Sequence, residues 1–286
     1  MNSPDGPIVV LLLRSKAQTL TIVRGMLSGL AELLEMDPEL LDDLKTSVSE
    51  ACNNVVLHAY GDEPGPMEIR VHATRDALTV IVRDEGVGPA DLGVAGEGSH
   101  GIGVSVIQAL TRQARFAPRD GGGTEVTMVF DGERDGRPLF AVPAAAGEEL
   151  PLTPLPDGEI ELSLSPVSLL SGVLGRLART LAAGAHFSLD RFSDVYLVTD
   201  TLAAYATRAA ATDRVLARMS AAERRLRIEL GPFRSGAGAS LIGSSGPGDA
   251  PVANRISSPL ALLADEVAIR ETEAGELVDV TVIDHR

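Results

Sequence analysis

The chain has 286 residues, enough for one large or two ordinary domains, and its 44% apolar content, with 3% aromatics and no Trp, calls for cores of Leu, Val, Ala and Ile. The formal net charge of −15 is spread over both halves, with 12 basic against 21 acidic residues in 1–143 and 13 against 19 in 144–286. That balance excludes a nucleic-acid surface of clustered Lys and Arg and an affinity for anionic membrane.

The start, Met1-Asn2-Ser3-Pro4-Asp5, is polar and lacks a basic cluster, so it reads as no signal peptide. The apolar run Pro7 to Leu13 is too short to span a bilayer. Both point to a soluble cytoplasmic protein. Residues 8–13 read as a buried strand. Ser15, with Gln18 three residues on, reads as a capping box for a helix that places Leu20, Val23, Leu27, Leu30 and Leu34 on one side. Asp37-Pro38-Glu39 opens a second helix with a cap, a proline at the first helical position and an acid at the positive end of the dipole. That helix runs to about Ala59. The only cysteine, Cys52, lies in it, excludes an intrachain disulfide and reads as a buried, inert thiol.

Residues 67–73 and 77–83 alternate with period two and are joined by Thr74-Arg75-Asp76, which predicts a hairpin. A glycine-rich loop spans 86–101, residues 102–115 read as a helix, and Thr124 to Phe130 as a strand. The order is that of an α+β two-layer sandwich, with helices on one face of a mixed sheet. Residues 131–158 are rich in Gly, Pro and Ala and read as a linker region. A second unit follows: a strand over 160–164, helices over 166–183 and 189–217, a strand over 225–230, a helix over 259–267 and a strand over 277–283. Nearly the same succession occurs in both halves, and Glu125 to Asp131 resembles Leu277 to Asp284. We read a diverged internal repeat, with domains at 1–135 and 159–286 and a linker at 136–158.

Four stretches carry chemistry. In Ser49-Glu50-Ala51-Cys52-Asn53-Asn54-Val55-Val56-Leu57-His58-Ala59-Tyr60, Glu50 and Asn54 are one helical turn apart on one face, and His58 continues that line. A carboxylate beside a carboxamide suits a general base next to a hard-metal ligand. Alone, the spacing is common among solvated helices. In Asp84-Glu85-Gly86-Val87-Gly88, at a strand exit, Asp84 can accept from an exocyclic amino group while Gly86 and Gly88 let backbone approach a flat ring. Ser99-His100-Gly101-Ile102-Gly103 opens a helix whose N–H groups face an anion. Gly121-Gly122-Gly123-Thr124 leads into the last strand of the first half. Each of these three, alone, is also an ordinary turn or helix lead-in.

In this order and spacing the four stretches resemble the GHKL (Bergerat) ATP-binding fold over about residues 8–131. Within it they are most similar to the anti-sigma-factor serine kinases of the SpoIIAB and RsbW type, whose Glu-Ala-x-x-Asn box is matched at Glu50 to Asn54. The resemblance implies ATP and Mg²⁺ as cofactors. It implies Glu50 as the base that deprotonates a substrate serine, Asn54 as the Mg²⁺ ligand and Asp84 as the adenine contact. Gly86 and Gly88 would border the adenine, Thr124 would line its side, and His100, Gly101, Ile102 and Gly103 would lie at the phosphates. The partners it implies are a sigma factor and a STAS-domain anti-anti-sigma protein.

Two departures stand out. His100 stands where many relatives carry arginine. In the second half, if Asp200 answers Glu50, then Ala204 answers Asn54 and cannot bind metal. Gly231-Pro232-Phe233 follows the strand there in place of Asp-x-Gly-x-Gly, and Ser235-Gly236-Ala237-Gly238 is a faint echo of the phosphate loop. The second unit therefore reads as a degenerate copy without nucleotide motifs. The expected activity is a serine/threonine protein kinase acting on the STAS partner. The alternative is a nucleotide-binding switch that sequesters its partner without transfer. A histidine kinase core, which needs a phosphoacceptor His upstream of Glu50, and a gyrase-type ATPase with a long lid are both disfavoured. The assembly reads as an intramolecular pseudo-dimer, or else a homodimer.

Overall fold

The computed structural model describes residues 6–88, 101–143, 155–156, 158–238, 241 and 259–285. In the first half, β1 (Val9–Arg14) is followed by α1 (Thr19–Leu33), α2 (Pro38–Asn54) and a π-helical turn over Val55–Ala59. Then come β2 (Pro66–Ala73), β3 (Ala77–Asp84), α3 (Gly101–Leu110), β4 (Gln113–Pro118) and β5 (Thr124–Asp131). A two-residue-per-strand hairpin, β6 (Glu133–Arg134) and β7 (Arg137–Pro138), closes this half. The second half holds β8 (Glu159–Leu164), a 3-10 turn over Val167–Leu169, α4 (Leu170–Gly184), α5 (Leu189–Ala209), β9 (Val215–Ala222) and β10 (Arg225–Phe233). It ends with α6 (Pro259–Leu263), β11 (Glu266–Thr272) and β12 (Gly275–Ile283).

Ten strands form one sheet in the order β11-β12-β10-β9-β8-β1-β2-β3-β5-β4. Every pairing is antiparallel. The expected α+β two-layer architecture is present, with an antiparallel rather than mixed sheet. The two halves do not stand apart. They meet where β1 pairs with β8, from Val9 opposite Leu164 to Leu12 opposite Glu161. Outward from that seam each half lays down its strands in the same succession.

The helices cover the apolar face. Leu78, Val80 and Val82 of β3 point into the core, while Arg83 faces the open side with charged residues of β2 and β5. There Arg83 reaches Glu125 at 2.8 Å and Glu68 at 3.1 Å, and Arg70 reaches Glu68 at 2.6 Å. α1 crosses α4 at a glycine pair. A Cβ on Gly29 would lie 2.3 Å from the Gly172 carbonyl oxygen, and one on Gly172 would lie 2.7 Å from the Gly29 oxygen. Among the described residues no helix is long and apolar enough to cross a membrane.

Several local expectations change. Ser15 does not cap α1. Its Oγ accepts from the Gly65 N–H at 3.1 Å, which ties it to the approach to β2. The helix starts at Thr19, whose hydroxyl donates to the Arg14 carbonyl at 2.6 Å and accepts from the Lys16 N–H at 3.2 Å. Asp37 does cap α2, accepting from Glu39 and Leu40 N–H at 3.0 and 3.2 Å. Strands β4, β9 and β11 occupy segments expected as helix ends or left unassigned. At the expected start of the linker, Leu139 and Phe140 are buried, and the Leu139 carbonyl accepts from the Asp37 N–H at 2.7 Å.

Candidate active site

α2 delivers Glu50 and Asn54 on the side that meets α3. Both are half-buried on the last turns of the helix, above a floor of buried Val48, Ala51 and Cys52. The α-helix then widens to π geometry over Val55–Ala59, a feature often found at functional sites. The widening breaks the expected 50-54-58 line, and His58 is exposed while Glu50 and Asn54 are not. Burial pushes the Cys52 thiol up to about 12, which fits an inert core residue.

Gly103, in the first turn of α3, lies against this pair. A Cβ there would be 3.0 Å from Glu50 Oε2 and 3.8 Å from Asn54 Oδ1. The first turn of α3 therefore presents backbone, rather than side chain, to the carboxylate and the carboxamide. The N–H groups of such a turn are unpaired within the helix and favour negative charge. Gly101 opens the helix, and the Ile102 side chain is 80% exposed beside it. His100 lies outside the described residues.

A second cluster forms at the exit of β3. Asp84 is only 3% exposed, and its Oδ1 accepts from the Gly86 N–H at 2.9 Å. Gly86 is pressed onto the π turn, where a Cβ would sit 2.0 Å from the Ala59 carbonyl oxygen. That same oxygen accepts from the Val87 N–H at 2.9 Å. Gly88, at φ +80°, approaches Gly123, whose own Cβ would meet the Asp84 carbonyl oxygen at 2.1 Å. Thr124, half-buried, begins β5 next to that contact. Asp84, Gly86, Gly88 and Thr124 are thus brought together, and Glu50, Asn54 and Gly103 meet beside them through the π turn.

Two positioning residues carry no sequence signal of their own. The Tyr60 hydroxyl accepts from the Glu85 N–H at 2.7 Å and donates to the Pro66 carbonyl at 2.5 Å, clamping the loop after β3. Burial, with the Asp84 and Glu85 carboxylates nearby, pushes its phenol up. Arg119 Nη1 donates to the Asp84 carbonyl at 2.7 Å and fixes the strand exit from the other side. Tyr60 ends the N-terminal motif with no role read from it, and Arg119 precedes the glycine triplet, so neither role is marked by residue type.

The residues present suit an adenine nucleotide. Asp84 is a buried carboxylate with one oxygen on the Gly86 N–H, and glycine backbone borders it on two sides. The Glu50–Asn54 pair faces a helix start stripped of side chain. Among the described residues no group of three His, Cys, Asp or Glu gathers to hold a metal. A divalent ion at Asn54 would therefore draw its other ligands from phosphate and water, as Mg²⁺ commonly does.

Comparison with known proteins agrees with this geometry. Residues 13–130 match the histidine kinase-like ATPase domain family. The chain is 34% identical over 127 residues to the serine-protein kinase RsbW of Bacillus velezensis, covering 40% of this chain and 79% of that protein. With the same coverage it is 35% identical to the RsbW of Bacillus subtilis. This chain belongs to the RsbW and anti-sigma F kinase family. The anti-sigma F factor of Clostridium novyi is 29% identical over 124 residues, covering 40% of this chain and 87% of that protein. The matched span ends with β5, so the family fold accounts for the half that carries both clusters.

Proposed function

We propose that the chain is an ATP-dependent serine/threonine protein kinase of the partner-switch type. In this reading it phosphorylates a STAS-domain anti-anti-sigma protein in the cytoplasm and regulates transcription by holding a sigma factor. The kinase domain is 1–135, and 159–286 is a diverged unit of the same architecture without nucleotide motifs. The observation that carries the reading is the meeting of Glu50, Asn54 and the side-chain-free start of α3, with Glu50 Oε2 3.0 Å from the missing Gly103 Cβ.

Phosphoryl transfer needs positioning and charge neutralisation more than covalent help. Asp84, with Gly86, Gly88 and Thr124 around it, holds adenine. The N–H groups of Gly101, Ile102 and Gly103, with His100, hold phosphate, and Asn54 holds Mg²⁺. When bound, the metal neutralises charge on the phosphates. Glu50 takes the proton from the attacking serine hydroxyl.

The test is a transfer assay on the intact protein with labelled ATP, Mg²⁺ and STAS-domain proteins of the same organism. Wild type should label one of them on serine or threonine. Glu50→Ala should abolish labelling and keep nucleotide affinity, because a general base acts in the transition state. Asn54→Ala should instead remove the Mg²⁺ dependence of binding. Tight ATP binding with no labelled partner would make the protein a nucleotide-gated binder, and equal loss of ATP affinity in both variants would refute the separate roles.

A further inference from the structure

The second half contains a place that corresponds to the candidate site. Two glycines set the alignment of the strands. Gly123, at φ +90° before β5, would put a Cβ 2.1 Å from the Asp84 carbonyl oxygen. Gly275, at φ +132° opening β12, would put one 2.3 Å from the Phe233 carbonyl oxygen. Phe233 therefore stands where Asp84 stands. Glu276, opposite Phe233 in the β10–β12 ladder, stands where Thr124 stands. The helices align by burial. Leu44, Ser47, Val48, Ala51 and Cys52 of α2 are buried, and so, at the same spacings, are Val195, Val198, Thr199, Leu202 and Ala203 of α5. Continued along the helix, that step sets Thr201 against Glu50 and Tyr205 against Asn54. The pairing with Asp200 and Ala204, counted along the sequence, is one residue short.

The replacements fill space. Tyr205 and Phe233 are both buried and meet edge to face, with ring centroids 5.0 Å apart at 67°. Glu276, 5% exposed, turns its carboxylate onto the loop after β10. Oε1 accepts from the Gly236 N–H, and Oε2 accepts from the Gly238 N–H at 2.7 Å. Among the described residues no basic side chain pairs with it. A buried carboxylate is costly unless its lone pairs are met. Here two backbone donors, two residues apart in the same loop, meet them, and a concave N–H arrangement of that kind suits a carboxylate.

We infer that the second half is a self-liganded site. Glu276 supplies, as part of the chain, the acceptor for the Gly236 and Gly238 N–H groups of the loop that answers the adenine-bordering loop after β3, and Tyr205 and Phe233 fill the space that a ring would take. The chain takes a single nucleotide, on its first half, and the second half keeps its loop ordered with none. The nucleotide count rests on the reading of the first half given above, whereas the carboxylate latch does not.

The intact protein tests both parts. Calorimetric titration with ATP and Mg²⁺ should saturate at one nucleotide per chain. Hydrogen exchange in 235–238 should be the same with and without ATP. Glu276→Gln, equal in size but uncharged, should speed exchange at Gly236 and Gly238 by about tenfold or more, the scale of a lost charge-assisted hydrogen bond, with ATP stoichiometry unchanged. A second nucleotide per chain, protection of 235–238 by ATP, or unaltered exchange in Glu276→Gln would overturn the inference. The first two are read on wild type and do not depend on the variant folding. If wild type takes up no nucleotide at all, the count fails together with the kinase reading, and exchange in Glu276→Gln still decides the latch.

Discussion

Asp84 is a carboxylate removed from water at a strand exit, with one oxygen spent on its own Gly86 N–H. The adenine amino group is the donor proposed here for its other oxygen. Asp84→Asn should weaken ATP and ADP alike, by about 1.5–3 kcal/mol, because the two share the ring and the bond lost is charge-assisted. Calorimetry with both nucleotides checks this, and an unchanged affinity would remove Asp84 from the site. Cys52 offers a different residue-scale expectation. Its thiol is 0% exposed and pushed up to about 12 by burial, so at pH 8 it is neither reachable nor ionised. Ellman's reagent should react only as the protein unfolds, and rapid reaction of the native protein would show that α2 opens near the site. The meeting of Glu50 and Asn54 with Gly103, and of Asp84 with Gly86, Gly88 and Gly123, was legible in the sequence as spaced motifs. Tyr60 and Arg119 were not, because a phenol or a guanidinium holding a backbone group is chosen by distance, and distance appears only in the fold.

Among the elements, the hairpin β2–β3, the Asp37 cap and strands β1, β5, β8 and β12 follow from pattern, since β-branched or aliphatic alternation and a cap-Pro-acid start leave little choice. Strands β4, β9 and β11 do not. Their residues, as in Gln113-Ala114-Arg115 and Leu216-Ala217-Arg218-Met219, are largely helix formers, and no Gly or Pro separates them from the helix before. Pairing decides instead. β4 and β11 complete the two edges of the sheet, and β9 lies between β8 and β10. Intrinsic propensity is a weak prior against a ladder of that size. The open face of β2 and β3 carries a titratable device of its own. Burial alone would raise the Glu68 carboxyl, but the Arg70 and Arg83 guanidiniums beside it outweigh that and hold it below its usual range. A carboxyl lowered by folding adds stability that is fully present above its unfolded pKa of about 4.3 and is lost as pH falls through the folded value. Denaturant midpoints measured from pH 7 to pH 3 should therefore fall less steeply for Glu68→Gln than for wild type below about pH 4.3. Parallel curves would mean that the arginines do not act on Glu68.

At the scale of the whole molecule, the seam between the halves decides the assembly. β1 has Val9, Val10 and Leu11 fully buried, with β2 on one edge and β8 on the other. Without the second half, that second edge would be a row of unpaired N–H and C=O groups flanked by Leu and Val, the type of edge that recruits another chain. The α1–α4 crossing at Gly29 and Gly172 would open at the same time. So would the pocket of Arg214, a buried guanidinium that donates to the Pro7 carbonyl at 2.5 Å and to Ser163 Oγ at 3.1 Å. Each buried Leu or Val returned to water costs about 1.5–3 kcal/mol, so the bare surface is not indifferent to what covers it. A chain whose β1 edge is already paired within itself has no such edge left for a second molecule. We therefore expect the intact protein to be an intramolecular pseudo-dimer, with a mass by light scattering of one chain. Cut at about residue 143, the first half should pair with itself through β1 and α1, or precipitate. In the competing arrangement two chains join through their first halves and the second halves hang outside as partner-binding modules, and the intact protein then has the mass of two chains. If the cut first half stays monomeric and soluble at high concentration with unchanged ATP affinity, the second half is not completing a dimer surface, and the pseudo-dimer idea fails.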